Sequence, residues 1–153
     1  MEITNEPERK VIGIEVRTSN ALEQHPGTAQ IGKLWQRFHT EMIGHNIPNR
    51  VDAKTVVGVY TNYESDRNGM YTLVAGCEVK DLKQIPKGMI GITIPAGKYA
   101  VFPAPGEMPN CIIECWMRIW NYFDGSKDHQ RAYTADYELY GEESGTHIYI
   151  AIK

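Results

Sequence analysis

Glu138 lies in the segment Tyr137-Glu138-Leu139-Tyr140, a carboxylate set among tyrosines, and a Gly-containing connection leads from it to His147-Ile148-Tyr149-Ile150-Ala151-Ile152. Both segments read as strands. Alternate side chains of a strand share a face, so Glu138 points with Asp136 and Tyr140 while Tyr137 and Leu139 point the other way. An anion walled by aromatic rings suits an organic cation, because ring faces attract positive charge through their quadrupole and the carboxylate adds a Coulomb attraction. The competing reading of Glu138 is a solvated strand carboxylate or an ion-pair partner for a Lys or Arg. Glu78, near the end of an earlier strand, carries the same two readings.

Other chemistries find less support. There is no Gly-x-Ser-x-Gly elbow, and no Cys stands in an obvious pairing with a His. His25, His39, His45, His129 and His147 are dispersed. His147 is placed to face Glu138 across the closing hairpin, as a structural cross-strand pair. Cys111 and Cys115 are four apart on a predicted helix, with His129 downstream, which is too few ligands for zinc; these thiols read as buried packing. The stretch Gly141 to Gly145 contains Glu142 and Glu143, whose charge repels a phosphate. No motif asks for a cofactor or a metal.

The elements that hold these residues form one domain over residues 1–153, with 42% hydrophobic residues to build a core. A net charge of −3 and scattered Lys and Arg give no footprint for direct nucleic-acid binding. Three cysteines make an odd count without a Cys-x-x-Cys pair, and no basic stretch followed by an apolar one opens the chain. A reduced cytoplasm is the expected location. No apolar run reaches the length of a membrane span, so no membrane partner is expected.

Lys10 to Thr18 alternates apolar and polar residues and predicts a first strand; Asn20 to Gly27 predicts a loop. A helix is predicted from Thr28 or Ala29 to about Ile43, with Ile31, Leu34, Trp35, Phe38 and Met42 on one stripe. Strands follow at Thr55 to Tyr63 and Met70 to Val79, separated by turn residues. After Pro86-Lys87-Gly88 the pattern restarts, with strands at Gly91 to Ile94 and Lys98 to Pro103 joined by Pro95-Ala96-Gly97. A helix from about Met108 to Phe123 carries Ile112, Ile113, Trp116, Ile119, Trp120 and Phe123, and the Tyr-rich hairpin closes the chain. The fold class predicted is α+β, from duplicated β-α-β-β units with pseudo-twofold symmetry (about 9–80 and 88–153). Antiparallel sheets would then stand side by side with helices on one face and a central groove between the halves, where ligands favour binding. Trp35 and Trp116 read as core stripe residues that can still show a ring face at the groove edge. Tyr60, Tyr71, Tyr99, Tyr140 and Tyr149 are strand residues suited to its half-wet walls.

The order and spacing of five segments resemble the GyrI-like superfamily: Gly32-Lys33-Leu34-Trp35-Gln36-Arg37-Phe38, Val57-Gly58-Val59-Tyr60, Ile94-Pro95-Ala96-Gly97-Lys98-Tyr99-Ala100-Val101-Phe102, Asp136-Tyr137-Glu138-Leu139-Tyr140 and Ile148-Tyr149-Ile150. That superfamily holds the effector-binding domains of AraC-type and multidrug-responsive MerR-type regulators, gyrase-inhibitory proteins and free-standing integron cassette proteins. The chain is most similar to the cassette subgroup, which has no helix-turn-helix. The resemblance implies a groove for hydrophobic, often cationic, drug-like molecules. It places the facing glutamate of the penultimate strand at Glu138 and the aromatic wall at Tyr60, Tyr71, Trp116 and Tyr149. It also implies two alternatives: a hydrolase of strained electrophiles with Glu138 as general base, and an interaction module that engages a protein partner or a homodimer.

Overall fold

Connections of only two residues shape the whole molecule. In chain order the elements are β1 (Glu2–Glu6), β2 (Arg9–Thr18), α1 (Asn20–Glu23), α2 (Ile31–Thr40), a 3-10 turn (Ile43–Asn46), β3 (Val56–Thr61), β4 (Tyr71–Val79), β5 (Ile90–Ile94), β6 (Gly97–Pro103), α3 (Asn110–Gly125), β7 (Ala135–Tyr140) and β8 (His147–Ala151). The computed structural model describes residues 1–126 and 128–153. All eight strands join one antiparallel sheet in the order β1-β6-β8-β7-β3-β4-β2-β5. Strands β5 and β6 sit near opposite ends of that order, yet only Pro95 and Ala96 separate them. Two residues span no more than about 10 Å, so the two ends must come together and the sheet must curl.

The fold is α+β, as the sequence predicts, with one correction to its layout. A single continuous sheet replaces two sheets side by side, joined at its centre by β3 against β7. The order β2-β4-β3 on one side is matched by β6-β8-β7 on the other. The outer strands cross over: β1 pairs with β6, and β5 pairs with β2. The sequence reading contains no strand at Glu2–Glu6, because Glu-Ile-Thr-Asn-Glu has one apolar residue and an edge strand needs no alternating pattern. A short helix likewise occupies Asn20–Glu23 where a loop is expected; Ser19 caps it by accepting from the Leu22 N–H.

Both faces of the curled sheet are apolar. On one face, Leu34 and Phe38 of α2 pack over Ile12, Leu73 and Cys77, while Cys115 and Ile119 of α3 pack over Ala100, Phe102, Ile148 and Ile150. Each fully buried aliphatic side chain of this kind contributes roughly 1.5–3 kcal/mol. The curl covers the other face, where Val11, Val59, Val74, Ile94, Tyr99 and Tyr137 share a cluster with almost no exposure. Arg9 pins the closure, with Nη2 2.9 Å from Glu6, Nη1 2.9 Å from Glu78 and its guanidinium 5.7 Å from the Tyr137 ring centre. That pairing accounts for Glu78, which anchors Arg9 from the interior strand β4. No described helix is long and apolar enough to cross a membrane.

Candidate ligand-binding site

The parity of β7 turns Asp136, Glu138 and Tyr140 toward the helices. Glu138 is 1% exposed, and three uncharged donors surround its carboxylate. Trp116 Nε1 and the Tyr60 hydroxyl donate to Oε2 at 2.7 and 2.9 Å, and the Tyr140 hydroxyl donates to Oε1 at 2.7 Å. Gly58 makes the space. It stands opposite Glu138 in the β3–β7 register, and a Cβ there would lie 2.9 Å from Trp35 Cζ2 and 3.0 Å from Glu138 Oε1. Gly58→Ala is therefore expected to cost about 1–3 kcal/mol, the usual penalty of overpacking, as a lowered urea midpoint with unchanged slope; a midpoint equal to wild type would contradict this geometry.

Burial pushes the Glu138 carboxyl above the ordinary carboxylate range, against the downward pull of Trp116, Tyr140 and Tyr60. Burial, followed by the neighbouring Glu138 charge, pushes the Tyr60 and Tyr140 hydroxyls upward. Both therefore stay protonated and serve as donors. Both carboxylate oxygens are hydrogen-bonded, and among the described residues none of the donors is a cation.

Two residues along the same face, Asp136 presents the contrast. It is fully buried, and Arg131 Nη2 lies 2.7 Å from its Oδ2. The Tyr63 hydroxyl also donates to Oδ2, and the Ala151 N–H donates to Oδ1 at 2.9 Å. The reference case for a buried carboxylate in this fold is thus an ion pair.

Beside these groups opens a cavity of about 800 Å³ between the β3–β4 hairpin, α1 and α3. Tyr60, Tyr71, Trp116 and Trp120 supply its aromatic wall, with Ile112, Ile113 and Met117 of α3 at its apolar side. Tyr60 and Tyr71 stack at 5.4 Å, Tyr71 and Tyr63 at 6.1 Å, and Trp116 meets Tyr60 edge-on at 5.1 Å. Glu138 does not itself line the cavity; it stands behind Tyr60 and Trp116, whose polar ends it holds. The acidic side chains on the lining are Glu23, Asp66 and Asp124, of which Asp124 pairs with Arg67 at 3.0 Å. Glu23 also accepts the Gln30 and Ile31 N–H groups, which caps α2 and starts it later than the sequence pattern predicts.

The eight residues predicted to line a groove divide three ways. Tyr60, Tyr71 and Trp116 line the cavity. Glu138, Trp35 and Tyr140 lie one layer back, the Trp35 and Tyr140 rings 5.5 Å apart and edge-on, with Tyr140 bonded to Glu138. Tyr99 and Tyr149 lie on the opposite, curled face, packed around Tyr137 at 5.6 and 4.5 Å. Strand parity explains their displacement: Tyr149 is paired directly with Tyr137, which points away from Glu138. The same register corrects His147, which stands opposite Leu139, while Ile148 faces Glu138.

Sequence reading missed Glu23, Tyr63, Trp120 and Arg131. Trp120 was accessible, being four residues after Trp116 on a stripe too wide for one core face. Arg131 had no signal, because an isolated arginine in a connection looks the same whether it is solvated or buried. The three cysteines are buried, and burial pushes the Cys77 and Cys115 thiols upward. Among the described residues no three His, Cys, Asp or Glu side chains are grouped to hold a metal.

Residues 2–152 match the family described as integron-associated effector binding protein. An integron cassette protein from the mobile metagenome of Vibrio cholerae, VCH_CASS2, is 38% identical with a TM-score of 0.84, over 99% of this chain and 95% of that one. SAV2435, solved bound to tetraphenylphosphonium, shares the fold at 18% identity and a TM-score of 0.72, over 99% of this chain and 93% of that one. Among curated sequences, YobU of Bacillus subtilis, provisionally named a transcriptional regulator, is 31% identical over 99% of this chain and 96% of its own. The transcriptional regulator BrlR of Pseudomonas aeruginosa is also 31% identical, over 92% of this chain but 47% of BrlR. With a family match running from the first strand to the last and a relative of nearly equal length in YobU, the chain belongs to the integron-associated effector-binding proteins.

Proposed function

We propose that the cavity binds hydrophobic organic monocations of drug or dye size, with Glu138 as the counter-charge behind an aromatic wall. One observation carries the reading: Glu138 is a buried carboxylate with three neutral donors and, among the described residues, no cation partner, two residues from a buried carboxylate that has one. Burying an unbalanced charge is costly, and a ligand cation in the adjoining cavity offsets that cost. Cation–π attraction adds roughly 0.5–2 kcal/mol where a ring is desolvated, and apolar contact with Trp120, Ile112 and Met117 supplies area without fixing direction. The tetraphenylphosphonium seated in SAV2435 supports the same ligand class.

The test is a calorimetric titration of tetraphenylphosphonium against triphenylphosphine oxide, a neutral molecule of related shape. The cation is expected to bind at least roughly tenfold more tightly, a difference of about 1.4 kcal/mol. Equal affinities would sink the proposal. Acidification supplies a second check. A bound cation favours ionised Glu138, so binding expels the proton, and affinity falls as pH drops through the raised carboxyl value. The decline should begin at a higher pH than an ordinary carboxylate would give. Without ligand the sign reverses: the folded protein holds this proton more tightly than the unfolded chain, so Glu138 adds stability as pH falls.

A further inference from the structure

Asp136 and Glu138 stand in related surroundings, each bonded to a tyrosine and close to Trp116, and among the described residues only Asp136 is paired with a cation. Their Cα atoms, two residues apart on β7, are separated by about 7 Å. Each accepts a hydrogen bond from a tyrosine in or just after β3, Tyr63 on Asp136 and Tyr60 on Glu138, and Tyr71 stacks with both tyrosines. Trp116 serves both places, since its Nε1 donates to Glu138 while the Arg131 guanidinium carbon lies 5.9 Å from its ring centre. That guanidinium is also 4.3 Å from the Tyr133 ring and 5.8 Å from Tyr63. Arg131 is 7% exposed, yet it forms part of the cavity wall. Its head group occupies the position an organic cation would take, with a carboxylate on one side and rings around it.

We infer that Arg131 is a resident cation that fills the second of two cation places in this cavity and thereby restricts its ligands to a single positive charge. The inference rests on reading Glu138 as the ligand's counter-charge. With Arg131 in place Asp136 is neutralised, and a second ligand charge beside it meets a fixed guanidinium in surroundings that screen poorly. Discrimination by a built-in repulsive group is a common source of specificity. A monocation seated toward Glu138 avoids the repulsion.

The probes are N-methyl-4-phenylpyridinium, a monocation, and N,N′-dimethyl-4,4′-bipyridinium, a dication of nearly the same shape, titrated calorimetrically into the intact protein. Wild type is expected to bind the monocation at least about tenfold more tightly. Arg131→Leu, which frees Asp136, should reverse that order. Arg131→Leu/Asp136→Asn, which removes both charges, should keep the monocation preference. Should Arg131→Leu alone fail to fold, the dication should restore its cooperative melt at concentrations where the monocation does not. Equal wild-type affinity for the two probes, or no gain of the dication in Arg131→Leu by binding or by rescue, overturns the inference while leaving the monocation site standing. Monocation binding that is absent, or indifferent to Glu138→Gln, overturns both.

Discussion

Glu138→Gln is expected to lower affinity for tetraphenylphosphonium roughly 10- to 100-fold, the scale of losing a charge interaction across about 6–12 Å at an effective dielectric near 20. Affinity for triphenylphosphine oxide should change by less than about twofold. The substitution preserves shape, and its hydrogen bonds can be reassigned. An amide oxygen at the Oε2 position still accepts from Trp116 and Tyr60. An amide nitrogen at the Oε1 position donates to the Tyr140 oxygen, 2.7 Å from Oε1. Because burial opposes the charge of Glu138, the ligand-free variant should melt at or above the wild-type temperature near neutral pH. Lower stability together with lost binding would instead describe a framework residue. Calorimetry and a thermal melt on the same samples separate the two outcomes.

Asp136→Ala should have the largest effect on stability, about 3–5 kcal/mol, because it leaves the buried Arg131 guanidinium without its partner. The Ala151 N–H and the Tyr63 hydroxyl lose their acceptor as well. For a chain of this length the melting temperature should fall by roughly 10 °C, with a matching drop in the urea midpoint. A solvent-exposed pair would cost under about 1 kcal/mol, so a small loss would mean that water reaches this pair. The contrast with Glu138→Gln is the informative part. Two carboxylates on one strand face should respond oppositely to losing their charge, since one is neutralised within the protein and the other is not.

Strand and helix positions were legible in the sequence wherever a segment buries one regular face. The alternation in Lys10 to Thr18 and the stripe through Leu34 and Phe38 located β2 and α2 to within a few residues. Element ends were harder to read, because contacts outside each element set them: Glu23, in the helix before, caps α2, and β1 exists only through pairing with β6. Glu138 was singled out by its tyrosine neighbours, whereas the space that Gly58 leaves for it follows only from the β3–β7 register. Neither residue revealed which tyrosines would meet the carboxylate. Tyr60 and Tyr140 reach it, while Tyr99 and Tyr149 pack against Tyr137 on the far side of the sheet.

The sequence by itself determined the α+β class, the order along the chain of the strands and helices other than β1 and α1, and the face on which Glu138 must lie, because these follow from periodicities of two and of about 3.6 residues. Tertiary structure alone decided how the sheet closes, which rings surround the cavity and which carboxylate receives a cation. The exchange of β1 and β5 between halves draws the sheet into a curl, and the curl sends Tyr99 and Tyr149 into a second core. Arg131 reaches Asp136 from the connection before β7, and nothing in local residue order distinguishes that approach from one toward Glu138. Burial and pairing are properties of the assembled surface, so the charge difference between two carboxylates two residues apart appears only once the chain has folded.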